Sequence, residues 1–420
     1  MPGPMERRQF LSALAAAPAL VAAPAASKIS AVEMWRLAGR RMVTPGQDGQ
    51  YQVQPTHIYD ALRPKPYKDT PQAQRESAVN AIYLNIKTAD GLEGWYGPVD
   101  QEAALVIETQ IKPFVMGKDA LAGEALWDQM WRSNRHARAG LYLMGISAVD
   151  NCLWDLRGRY YKTPVYRLLG GPTRADVEVY GSCLGFSLEL EPAFRKAQEL
   201  KAAGYRHQKW FLAYGPGDGD EGLEKNVALV RTLREAVGEN VELMFDVYSG
   251  WSLDYAIAWA KQVEKYHPRW LEEAFNPDKL ESFVALHKAT SIPIASGEHF
   301  YGRWETKRYL ESGAISVVQA DPEWCGGLSE LVKICGIASL YDAQVLPHGH
   351  SIHAALHVIA SQSPAVCPRA EYLITKMRSY YWFEKNQMTP VQARIALPDG
   401  PGFGIEFDEA KVEKKTLFKV

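Results

Sequence analysis

The chain has 420 residues, 47% hydrophobic and 23% charged, a balance that excludes a disordered chain or a membrane bundle and accommodates one large domain plus a smaller one. Its formal net charge of −2, with acids and bases interspersed, supplies no basic face for nucleic acid. Five scattered cysteines (Cys152, Cys183, Cys325, Cys335 and Cys367) contain no Cys-x-x-Cys pair, so they read as buried thiols rather than a disulfide framework or a zinc site.

At the start of the chain, Arg7 and Arg8 precede Phe10, Leu11 and an alanine-rich run that ends near Ala26. Residues 1–27 read as a signal peptide, and the paired arginines resemble the bacterial twin-arginine export signal, which implies a periplasmic protein. An irregular cytoplasmic N-terminus is the alternative. The run is too short and alanine-rich to predict a membrane span, and no membrane insertion is expected.

Residues 28–170 predict a small α+β domain. Alternation from Ala81 to Ile86, followed by the turn Ala89, Asp90, Gly91, predicts an antiparallel sheet. Between its strands, residues 47–74 lack periodicity and read as a long loop of the kind that is usually functional, carrying His57, Arg63 and, just beyond, Arg75 as candidate substrate contacts. Helical patterns follow over 100–115, 120–133 and 140–160, and a Gly/Pro-rich stretch ending at Pro172 marks a junction.

Over 171–385, eight short apolar runs alternate with helix-length stretches: 177–180, 208–212, 241–245, 269–271, 292–295, 315–319, 344–346 and one near Tyr372. Such alternation predicts a parallel sheet with right-handed crossovers, closed into a (β/α)8 barrel; an open doubly wound sheet is the alternative, but the turn after the first run lacks the usual phosphate-loop glycine spacing. Residues 386–420 read as a turn and a strand over 405–407, returning to the first domain.

Acidic residues end successive runs. Asp246, Glu272 and Glu298 are spaced 26 residues apart, about one strand, one helix and two loops, which puts all three at one rim of the barrel. Converging carboxylates repel unless a cation lies between them, and oxygen-only ligands favour magnesium or manganese. Acids that merely stabilise the helix following each strand would explain any one of them, but not the even spacing. Asp321, His348 and Glu371 continue the series, so Asp321 lies beside His348 and can orient its imidazole as a general acid/base. Lys209, in an apolar run, shares a strand face with His207 and Phe211 and could stabilise an oxyanion opposite His348. His348, His350, His353 and His357 superficially offer zinc ligands, but Ala354 stands where a metalloprotease needs glutamate.

On these residues the chain from about Ser30 to Val420 resembles the enolase superfamily in its mandelate racemase branch. It looks most like the rhamnonate dehydratase group through residues 215–220, 296–299, 321–328 and 347–349. The resemblance implies a modified (β/α)8 barrel with an α+β N-terminal capping domain, one magnesium ion per subunit on Asp246, Glu272 and Glu298, and a His348–Asp321 dyad. It also suggests a homo-oligomer. Racemases of the branch carry Lys-x-Lys where only Lys209 stands here, which favours dehydration of a sugar acid over racemisation. On that expectation Glu371 is protonated and donates a hydrogen bond, and His299 contacts substrate or assists departure of its 3-hydroxyl. A non-catalytic sugar-acid binding protein is the remaining alternative.

Overall fold

The computed structural model describes residues 27–44, 52–64, 73–136 and 138–419; the signal-peptide reading and parts of the 47–74 loop lie outside the described residues. No helix among the described residues is long and apolar enough to cross a membrane.

Strands β1 (Ile29–Val43), β2 (Arg75–Thr88) and β3 (Glu93–Tyr96) form an antiparallel sheet, joined at its β1 edge by the C-terminal strand β13 (Lys414–Leu417). The alternation at Ala81 to Ile86 does not mark a half-exposed strand, because all six residues are buried. Ile82, Leu84 and Ile86 join the main core, whereas Ala81 and Tyr83 pack with Leu37 and Phe383 on the other face. Both faces are covered, so alternation separates two apolar clusters rather than core from water. Residues 405–407 form no strand. Phe407 instead packs edge-on against Tyr83 and Trp95, with ring centroids 4.9 and 5.1 Å apart. The strand in that region is β12 (Arg394–Ala396), which pairs with the barrel, and β13 makes the return to the first sheet.

The three helical patterns appear as α1 (Gln101–Val106), continued through a π-turn into α2 (Lys112–Val115), then α3 (Gly123–Ser133) and α4 (Leu141–Tyr160); the short α5 (Val165–Leu168) follows. Fourteen of the twenty residues of α4 are buried, as expected of a helix enclosed on most sides.

All eight apolar runs become parallel strands: β4 (Asp176–Ser182), β5 (His207–Phe211), β6 (Glu242–Asp246), β7 (Trp270–Glu272), β8 (Ile294–Ser296), β9 (Val317–Val318), β10 (Gln344–Val345) and β11 (Ala370–Leu373). Neighbours pair in sequence order and β11 pairs back onto β4, which curls the sheet into a barrel. Between β10 and β11 there is no ladder; the Val345 N–H donates instead to the Val366 carbonyl at 2.7 Å. Helices α6 (Leu190–Ala202), α7 (Gly219–Val237), α8 (Leu253–Val263), α9 (Leu280–Ala289), α10 (Arg303–Glu311), α11 (Leu328–Ala338) and α12 (His353–Ser361) run between the strands, and α13 (Ile374–Tyr380) follows the last.

Inside the barrel, Tyr180, Met244, Trp270, Ala295, Val317 and Leu346 make a dry layer, so the interior is packed rather than a pore. Strand side chains repeat with period two, so the residues two positions further on lie above this layer. They include Ser182, Asp246, Glu272, Gln319 and His348. An apolar floor carries a polar tier, and the tier is where the chemistry lies.

Candidate active site

Asp246 and Glu272 end their strands and are direct partners in the β6–β7 ladder. Glu298 follows β8 after Gly297, whose φ of +124° turns the chain; a Cβ there would lie 3.2 Å from the Gln319 nitrogen. One oxygen from each of the three carboxylates lies within 4.8 Å of the others. Their exposures are 2%, 0% and 4%, so water does not solvate the charges. Burial pushes Glu298 well above the usual carboxylate range, and Glu273 and Asp246 add to the rise. Burial likewise raises Asp246 and, against the pull of Lys209, Glu272. Such a set is short of positive charge, and its hard oxygen donors fit a magnesium-like cation.

Lys209, 1% exposed, reaches into the same tier. Its ammonium pairs with Glu272, lies 3.3 Å from Asp246 Oδ2 and 2.7 Å from Glu371 Oε1, and with these partners is held charged. Phe211 stands two residues along the strand, with its ring centroid 5.4 Å from the ammonium. His207 lies at the other end of β5, paired with Glu242 at 2.8 Å, and is no part of this group.

The surroundings of Glu371 favour its charged form over the protonated donor expected from the sequence. Burial alone would raise its pKa, but Lys209 and His348 outweigh it and hold the carboxyl at about 2. Glu371 is a charged acceptor that takes the Gly349 N–H at 2.9 Å. Gly349 must be glycine, because a Cβ would lie 2.8 Å from Glu371 Cγ.

His348 Nδ1 lies 2.6 Å from Asp321 Oδ2, and its Nε2 lies 3.6 Å from Glu298 Oε2. Asp321 is fixed in turn by N–H groups of Glu323 at 2.6 Å and His350 at 3.3 Å. The dyad therefore directs one imidazole nitrogen at Glu298, a member of the carboxylate cluster.

His299 lies beside them, its Nδ1 3.0 Å from Glu273 Oε1 and 3.6 Å from Glu298 Oε1. Burial lowers the imidazole's proton affinity, but Glu273 more than offsets it and the pKa is raised. Nothing in the sequence pattern distinguishes Glu273 from the second acid of an ordinary doublet. Its φ of +45°, unusual for a non-glycine residue, belongs to a turn that sequence reading could not locate. Glu273, Glu298 and His299 form a second group of possible ligands that shares Glu298 with the first.

A cleft of about 580 Å³ opens beside His299 and Glu273, lined also by Tyr248, Asn276, Tyr301 and Gln54. Of the loop residues singled out in the sequence, His57 and Arg63 line a separate pocket of about 220 Å³ with Tyr214 and Asp218, and Arg75 is exposed at the start of β2 opposite Val43. The structure does not bring these three to the carboxylates. The segment is seated by Val53, whose N–H donates to the Leu212 carbonyl at 2.9 Å, and this places Gln54 and Pro55 over the cleft instead. Nor do the remaining histidines converge as a zinc site. His350 meets Asp100 at 3.0 Å, His353 meets Glu384 at 2.8 Å, and His357 accepts the Tyr166 N–H at 3.0 Å.

Residues 60–170 match the family model for the mandelate racemase / muconate lactonizing enzyme N-terminal domain, and residues 193–411 match the enolase C-terminal domain-like model. The L-rhamnonate dehydratase of Saccharopolyspora erythraea is 31% identical over 352 residues, covering 81% of this chain and 87% of that one. The structure of a rhamnonate dehydratase from Gibberella zeae complexed with Mg superposes with a TM-score of 0.77 at 27% identity, over 93% of this chain and 96% of that one. A 3,6-anhydro-D-galactonate cycloisomerase from Zobellia galactanivorans gives 0.73 at 26% identity, over 92% and 100%.

Proposed function

The chain belongs to the enolase superfamily, in the mandelate racemase branch and its rhamnonate dehydratase-like group, and from that premise we propose that it dehydrates a sugar acid, with a rhamnonate-like aldonic acid as substrate and one magnesium ion per subunit. The observation that carries the reading is the His348–Asp321 pair, in which one imidazole nitrogen is fixed by a carboxylate and the other faces Glu298, one of three clustered carboxylates. Asp246, Glu272 and Glu298 would hold the ion, which supplies Lewis-acid stabilisation of the charge that builds on the substrate carboxylate.

His348 takes the α-proton at Nε2, and Asp321 orients the ring and stabilises the imidazolium that forms. Lys209 contributes fixed positive charge to the polar tier. The 3-hydroxyl leaves as water, receiving its proton from His348 or from His299, and the resulting enol tautomerises to a 2-keto-3-deoxy acid. Racemisation needs an acid/base group on each face of the carbon. Phe211 stands two residues beyond Lys209, and Lys209 itself is surrounded by carboxylates, which favours dehydration.

Incubation with Mg2+ and a panel of aldonic acids, assayed for 2-keto acids, tests the proposal. Keto acid from at least one member is expected. Ligand binding without turnover across the panel would favour a non-catalytic binding protein instead.

A further inference from the structure

We propose that Trp324 is the positioning residue shared by the two imidazoles of the site, and that the N-terminal domain sets its place through Asn151. The inference rests on the roles given above to His348 and His299.

The Trp324 indole lies against three imidazoles. It stacks on His299 with centroids 5.3 Å apart and 24° between planes, leans on His348 at 5.0 Å and 31°, and meets His350 at 4.8 Å. A dyad hydrogen bond fixes one nitrogen of a histidine but leaves the ring free to tilt about that axis; a flat aromatic wall removes the tilt. Because a single indole touches both His299 and His348, its position governs the geometry of both at once.

Trp324 sits on a loop after β9 that the N-terminal domain grips at both ends. The Asn151 amide donates to the Pro322 carbonyl at 3.0 Å, and its oxygen accepts the Leu328 N–H at 2.8 Å. Ser147 and Asp150, on the same face of α4 as Asn151, accept the backbone N–H groups of Gly326 and Ser329, each at 2.9 Å. The indole N–H points at Asp100, which precedes α1, at 3.4 Å. Asn151 is fully buried, so its two hydrogen bonds have no competing water. Domain cohesion alone would not need an aromatic wall against two imidazoles.

The test compares Trp324→Ala, Trp324→Phe and Asn151→Leu with the wild-type chain, reading kcat, KM, melting temperature and the ring 15N signals of labelled histidine. A displacement of about 1 Å at reacting groups can cost about 100-fold. Trp324→Ala should therefore lower kcat by about 30-fold or more, with KM changed less than about threefold and the fold retained. Trp324→Phe, which keeps a flat ring, should recover most of that loss. Asn151→Leu should lower kcat in the same direction and move the signals of both His299 and His348. Unchanged kcat and unchanged histidine signals in Trp324→Ala would overturn the inference, as would loss confined to melting temperature. Should Trp324→Ala fail to fold, unmoved His299 and His348 signals in Asn151→Leu would overturn it equally. If the wild-type chain turns over no sugar acid, the functional proposal fails, and the histidine signals still decide the positioning role.

Discussion

His348 and Asp321 come from adjacent barrel strands 27 residues apart in the chain and meet at 2.6 Å, with the far nitrogen of the imidazole turned to Glu298. His348→Asn should lower kcat by about 10²–10⁴, and Asp321→Asn should lower it in the same direction by freeing the ring. Neither should change magnesium affinity more than a few-fold, as titration calorimetry would show, because neither side chain is among the proposed ligands.

Lys209 is the cation that the buried carboxylates Asp246, Glu272 and Glu371 share. Removing one partner of a buried ion pair typically costs about 3–5 kcal/mol. Lys209→Met should therefore lower the melting temperature strongly in chelator. Added Mg2+ should restore part of the loss, since bound cation stabilises the folded state by mass action. Equal melting curves with and without Mg2+ would argue against cation binding.

Val53 fits a notch that two glycines leave open: a Cβ at Gly215 or at Gly250 would lie 2.8 Å from Val53 Cγ2. Gly215→Ala should displace this segment, and with it Gln54 and Pro55 over the cleft. KM should rise several-fold with a smaller change in kcat, measured by steady-state kinetics on whichever acid the panel identifies.

His357 is fully buried, and burial, with His353 adding to it, lowers its pKa from 6.5 to about 3. A histidine whose folded pKa is depressed binds its proton more tightly when unfolded, so its contribution to stability is present above pH 6.5 and is lost as pH falls toward 3. The slope approaches roughly 1.4 kcal/mol per pH unit inside that window. Denaturant melts between pH 7 and pH 4 should show this loss, and His357→Gln should flatten it.

The eight barrel strands are legible in the sequence because each is a short apolar run bounded by helix-length stretches, and Asp246, Glu272 and Glu298 are legible because they recur at the strand–helix repeat. What sequence spacing cannot carry is the contact between distant segments. Asn151 grips a loop more than 170 residues away, and Asp100 meets His350 across 250. The charge state of Glu371 depends on an ammonium 2.7 Å away, a distance only the folded chain defines. Phe407 sits in a strand-like run yet serves as a packing side chain, a choice made by Tyr83 and Trp95 rather than by local propensity.

The most direct test of the central claim is proton NMR of L-rhamnonate and related aldonic acids in D2O with the protein and Mg2+. Loss of the C2 proton signal should be accompanied by growth of a 2-keto-3-deoxy acid carrying deuterium at C3, and His348→Asn should abolish both. Exchange or inversion at C2 without elimination, or full turnover by His348→Asn, would contradict the account.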